Sequence, residues 1–145
     1  MGFEHIRVFN RTFDKIKNIK HYFESHSEIH GSHLESFKLE DLYEFLNSKN
    51  NYREEPRLII NATPINMLSS SIKWNINPDC MGFDLVYRPQ TGTGFLNHFE
   101  PHNRIEGIYM LVHQAAPCFK LWFGLEPEID EGLFDVLFKK MDEAK

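Results

Sequence analysis

Between residues 92 and 107 the chain gathers side chains that bind metals and exchange protons. They are His98, Glu100, His102 and Glu106, framed by Gly92, Gly94 and Gly107. Neutral imidazole and carboxylate suit divalent zinc or manganese. Alternate residues of an extended strand face the same way, so His98, Glu100 and His102 are candidates to converge on one ion. One imidazole then ligates or acts as a base while Glu100 completes the ligand set. Such a site would empty as its histidines protonate near pH ~6. The competing reading is a solvated polar loop.

The spacing loosely resembles the first cupin motif, in which glycine precedes two metal-binding histidines and a glutamate. It departs from that motif at Glu100, which stands in place of the second histidine, and at Pro101, and no second motif follows. A further cluster, His26, His30 and His33, would share one face of an uninterrupted helix, but Gly31 and its neighbouring serines oppose one. Thr91-Gly92-Thr93-Gly94 lacks the lysine of a phosphate-binding loop and reads as a turn. Cys118 lies in an apolar run and reads as a buried thiol rather than a nucleophile served by His113. No complete catalytic constellation emerges, which leans away from an enzyme.

These residues need elements to position them. Phe13, Ile16, Ile19 and Phe23 recur at helical spacing after Thr12, which can cap the helix. Leu39, Leu42, Tyr43 and Leu46 mark a second helix at about 38–48. From residue 57 the pattern changes to strands, expected at 58–60, 71–76, 83–87, 105–113 and 119–123. The last two are read as antiparallel neighbours joined through Ala115-Ala116-Pro117. Residues 62–70 stay open to helix, strand or loop. Asp130 opens a final helix with Leu133, Val136, Leu137 and Met141 inside. Helices first, then strands, then a helix predict an α+β fold: a mostly antiparallel sheet of about five strands, two N-terminal helices and a C-terminal helix. The expected core joins the first helix face to Leu133, Val136 and Leu137.

The length of 145 residues suits one globular domain, 1–145. Thirteen phenylalanines give large apolar rings to bury in the core or, in a larger assembly, at its interfaces. The formal charge of −5 opposes nucleic-acid binding. No apolar run approaches the ~20 residues of a membrane span. The charged N-terminus does not resemble a signal peptide, so a cytoplasmic protein is expected.

Acids crowd the C-terminal portion. Glu126, Glu128, Asp130 and Glu131 lie beside Trp122, a combination suited to a basic protein partner. The leading expectation is therefore a small acidic binding protein, of an inhibitor or immunity type, that neutralises a basic partner such as a nuclease toxin. No cofactor is expected on that reading. The alternative is a small metal-dependent enzyme or ligand-binding domain using His98, Glu100 and His102.

Overall fold

The computed structural model describes residues 4–26, 33–47, 56–63, 74–87 and 94–143. The chain divides into two units, Met1–Asn51 and Tyr52–Lys145. Every described strand pairing in both is parallel.

In the first unit, β1 (His5–Asn10) leads into α1 (Phe13–His26) and then β2 (His33–Lys38). The strands align from His5↔His33 to Asn10↔Lys38. A parallel pair needs a crossover, and α1 supplies it. Asn10 Oδ1 accepts the Thr12 N–H at 2.7 Å, and Thr12 O accepts the Lys15 N–H at 3.1 Å as the helix opens. Ile16 is fully buried, whereas Ile19 is exposed. A 3₁₀ turn, Leu39–Asp41, precedes α2 (Leu42–Asn47). Phe45 of α2 meets Phe9 and Phe37, which lie 5.0 Å apart as register partners. On the same strand face Arg7 lies over the Phe45 ring and donates to Glu35 at 2.9 Å.

The second unit holds β3 (Leu58–Asn61), β4 (Met81–Asp84) and β5 (Arg104–Glu106) in the order β3-β4-β5. Gly107 begins α3 (Gly107–Phe123) directly after β5, and α4 (Glu131–Glu143) follows. The core is an aromatic plug. Trp74 meets Phe95 and Phe99 edge-on and stacks on His98 at 4.2 Å with the rings 5° from parallel. Cys80, Leu96, Ile108 and Val112 are buried as well. Gly82 leaves room for the plug: a Cβ there would lie 2.3 Å from Phe99 Cδ2.

The predicted α+β fold with an antiparallel sheet is therefore incorrect. Strand β1 precedes the first helix and β2 follows it, at positions where no strand was expected. Neither strand alternates cleanly, since Val8 and Phe9 are adjacent in β1 and Glu35 and Ser36 are adjacent in β2, so the period-two signal is weak. The expected strands at 105–113 and 119–123 are a short β5 and one long helix. Its buried Ile108 and Val112 are four residues apart, which is helical spacing. Pro117, read as a turn, sits inside α3 after the good helix formers Ala115 and Ala116, at the loss of one backbone donor. The helix ends at Gly124, whose φ of 68° lies in the left-handed region and whose N–H reaches Lys120 O. Asp130 does open α4, with Oδ1 accepting the Leu133 N–H at 2.8 Å. Val136, however, is exposed, and α4 buries none of its residues. Of the expected strand at 71–76, residues 71–73 lie outside the described residues, and 74–76 form no strand. No helix among the described residues is long and apolar enough to cross a membrane.

Replacing Gly82 with alanine should lower stability by ~1–3 kcal/mol, because the plug has no free volume for a methyl group. Gly132→Ala should be neutral or stabilising by up to ~1 kcal/mol, since its nearest neighbour is Asp130 Oδ1 at 3.5 Å and the position is helical. Urea unfolding followed by Trp74 fluorescence in a Trp122→Phe background compares the two.

Candidate functional site

The three parallel strands of the second unit end on one row of polar residues. Asn61 closes β3, Asp84 closes β4 and Glu106 closes β5, in register as Asn61↔Asp84 and Asp84↔Glu106. Each strand is apolar just before this row, at Ile60, Phe83 and Ile105. Partners in register share a face of the sheet, so the change from apolar to polar happens along one line.

Asp84 is completely buried and Asn61 is 3% exposed. Asn61 Nδ2 donates to Asp84 Oδ1 at 3.0 Å, and the same oxygen accepts the Val86 N–H at 3.0 Å. Asn61 Oδ1 accepts both the backbone N–H and the hydroxyl of Thr63, at 3.1 and 2.7 Å. The Leu85 N–H continues the ladder to Asn61 O at 3.0 Å. A buried carboxylate is tolerable only with such donors around it. Together they hold the chain segments leaving β3 and β4 in place.

Gly107 closes the third side. A Cβ there would lie 2.6 Å from Leu85 O and 2.8 Å from Asp84 O. Glycine thus lets the start of α3 press against the end of β4. The N-terminal amides of α3, with their partial positive charge, stand at the end of β5. Ligands of open α/β sheets bind outside the carboxyl ends of the strands. This edge, with its pinned turns and a helix start, is the candidate site.

Of the residues singled out from sequence, Glu106 and Gly107 lie at this edge, and the others lie elsewhere. His98 belongs to the 3₁₀ turn Leu96–His98 and stacks on Trp74, whereas His102 belongs to the separate turn Pro101–Asn103. Glu100, between them, is exposed. Neither turn is the extended strand the ligand reading assumed. Among the described residues no group of three or more His, Cys, Asp or Glu side chains is placed to hold a metal. Trp122 is exposed near the end of α3, and Glu126 pairs with Lys120 at 2.7 Å. Glu128, Asp130 and Glu131 are exposed. Cys118, expected buried, is exposed on the same helix as His113. His33 stacks on His5 across the first sheet, with ring centres 5.6 Å apart. His30 and residues 91–93 lie outside the described residues.

No protein-family model matches the chain. Curated relatives do. The chain is similar to shikimate dehydrogenases. It is 30% identical over 156 aligned positions to the shikimate dehydrogenase (NADP(+)) of Bartonella quintana, covering 99% of this chain and 48% of that protein. The corresponding protein of Sinorhizobium medicae is 29% identical over 143 positions, covering 97% and 46%. A shorter stretch of 61 positions is 44% identical to that of Sinorhizobium fredii, covering 41% of this chain. The chain spans about half the length of the first two relatives.

Shikimate dehydrogenase relatives overturn the reading as an inhibitor or immunity-type protein with a basic partner. They are named as enzymes acting on a small molecule, and nearly the whole of this chain aligns with them. The acidic C-terminal portion misled because carboxylates at a helix start serve the helix, as Asp130 does, without any partner. Sequence reading missed Asn61 and Asp84, and it named Gly107 only as part of the histidine-rich stretch, without its contact with β4. The available signal was a short apolar run ending in a polar residue, twice: Leu58-Ile59-Ile60-Asn61 and Met81-Gly82-Phe83-Asp84.

Asn61→Ala removes a donor from a buried carboxylate and should cost ~1–3 kcal/mol. Thr63→Val, which keeps the backbone N–H bond to Asn61, should cost less. Urea denaturation of both variants against the parent measures the difference.

Proposed function

We propose that this chain forms part of an oxidoreductase of the shikimate dehydrogenase type and contributes strand ends that bind and orient its ligands. The observation that carries the reading is the polar row at the carboxyl edge of an all-parallel sheet, in a chain aligned almost end to end with enzymes of that name. A dehydrogenase of this kind moves a hydride between an alcohol carbon and the nicotinamide of NADP, and the cofactor supplies that chemistry when bound.

The residues fit part of such a dinucleotide. NADP differs from NAD by a 2′-phosphate, and a nearby arginine commonly accommodates it. Asn10 closes β1, and Arg11-Thr12 leads into α1, so an exposed arginine stands at the carboxyl end of a parallel strand. Its planar guanidinium suits bidentate contact with phosphate. The diphosphate is a different matter. No strand end among the described residues carries the G-x-G-x-x-G turn that lets a backbone approach it. Gly107 is occupied by its own contact with β4. The diphosphate cradle therefore belongs, on this reading, to the part of such an enzyme that this chain does not match.

In the second unit, Asp84 acts as a positioning residue. It holds the Val86 amide and the Asn61 side chain, so the segments beyond β3 and β4 meet a ligand in one fixed arrangement. Preorganised backbone donors of this kind lose little on binding. A cytoplasmic setting accompanies the proposal.

Saturation-transfer NMR, which detects weak binding, tests the nucleotide half of the reading. NADP+ should bind at least tenfold more tightly than NAD+, and Arg11→Ala should remove that preference while leaving the weaker NAD+ signal. A preference that survives Arg11→Ala, or the absence of binding by either nucleotide, would contradict it.

A further inference from the structure

Phe9 and Phe37, register partners near the ends of β1 and β2, turn to one face of the first sheet, where both meet Phe45 of α2. The next rung, Asn10↔Lys38, therefore turns to the opposite face. There Asn10 Oδ1 accepts the Thr12 N–H at 2.7 Å, which fixes the tight turn that presents Arg11. Lys38 stands beside this turn, on the neighbouring strand. Its backbone is held too, because the Lys38 N–H donates to Asp41 Oδ2 at 3.2 Å. Adjacent strands run only ~4.8 Å apart, a gap that the four-carbon stem of a lysine can cross. The carboxyl edge of the first sheet thus carries two long cations, one from each strand end.

The Lys38 ammonium pairs with Glu40 at 3.2 Å, and the two side chains are 58% and 72% exposed. An ion pair so open to water adds little stability. It yields readily to a stronger anion. A phosphomonoester is one, with nearly two negative charges near neutral pH and three acceptor oxygens.

We propose that Lys38 is a specificity-determining residue for the adenosine 2′-phosphate of NADP, reaching it from β2 while Arg11 meets it from β1; the inference rests on the function proposed above. Glu40 is the competitor. It holds the ammonium when no phosphate is present and releases it when one binds. The two cations divide the phosphate between them. The arginine makes paired, planar contacts with two oxygens, and the lysine, a point charge, takes a remaining one. A nucleotide with a hydroxyl in place of that phosphate leaves Lys38 with Glu40. Lys38 therefore adds to the affinity for NADP and not to that for NAD, and specificity is that difference.

Adenosine 2′,5′-bisphosphate and adenosine 5′-monophosphate differ only by the 2′-phosphate, so titrating the chain with each, followed by amide NMR, tests the proposal. Lys38→Ala should weaken bisphosphate binding by about threefold or more, the scale of an exposed charge contact, and leave the monophosphate unchanged. Lys38→Arg should keep the preference for the bisphosphate. Lys20→Ala, which removes an equal charge paired with Glu24 on α1, should change neither ligand. Glu40→Gln should tighten bisphosphate binding by about twofold, and that gain should vanish when Lys38 is alanine as well. Circular-dichroism melts of all four variants should match the parent. A preference that survives Lys38→Ala, or a loss shared equally by both ligands, would overturn the proposal. So would a Glu40→Gln gain that persists without Lys38. Inorganic phosphate that binds as tightly as the bisphosphate, and is weakened as much by Lys38→Ala, would mark a general anion site and overturn it too. The reading beneath it fails differently. Equal binding of the two nucleotides by the parent contradicts Arg11 and Lys38 together, whereas a preference lost in Arg11→Ala but kept in Lys38→Ala removes this inference and leaves the proposed function standing.

Discussion

The hydrogen bond from the Asn61 amide to the buried Asp84 carboxylate is the interaction on which the second unit's working edge depends. It links residues 23 apart in sequence at the last rung of two parallel strands. Without donors a carboxylate at that depth would be strongly destabilising. With them it becomes a hub that pins the Thr63 turn, the Val86 amide and the mouth of the sheet. Gly107 then allows α3 to start against the same rung. One buried side chain thereby helps set the geometry of three segments that leave the sheet on the side where ligands of parallel sheets bind.

The rest of the second unit is arranged around that edge. The plug of Trp74, Phe95, His98 and Phe99 fills the space that Gly82 leaves beside β4. It rests on short 3₁₀ turns rather than long elements, with Asn103 reaching Pro78 O and Arg104 reaching Phe99 O to hold them. Stability is concentrated there, at the start of α3 and in the sheet. The end of α3 and all of α4 add little burial. The chain spans about half the length of the curated relatives it matches.

Much of the helical structure was legible in the sequence, because α1 and α4 have amphipathic spacing and polar starts at Thr12 and Asp130. Helix α3 was not. Its continuous apolar composition hides the period, and Pro117 mimics a turn. Strand β3 was visible as an apolar run and β4 only in part, since the strand expected at 83–87 is Met81–Asp84, and their parallel pairing was not visible because strand direction is decided by crossovers rather than by residues within the strand. The candidate site was hidden for a related reason. Asn61 and Asp84 are ordinary residues in sequence and acquire their role only through register. The histidines that did stand out are divided between an aromatic stack at His98 and an exposed turn at His102.

The most direct test is an amide NMR map of the protein titrated separately with shikimate and with NADP+. The largest shifts in the second unit should fall on Thr63, Leu85, Val86, Gly107 and Ile108, the backbone around the polar row. Shifts gathered instead on the turns of His98 and His102, or no shifts in this unit with either ligand, would contradict the assignment of the carboxyl edge as its ligand-binding face.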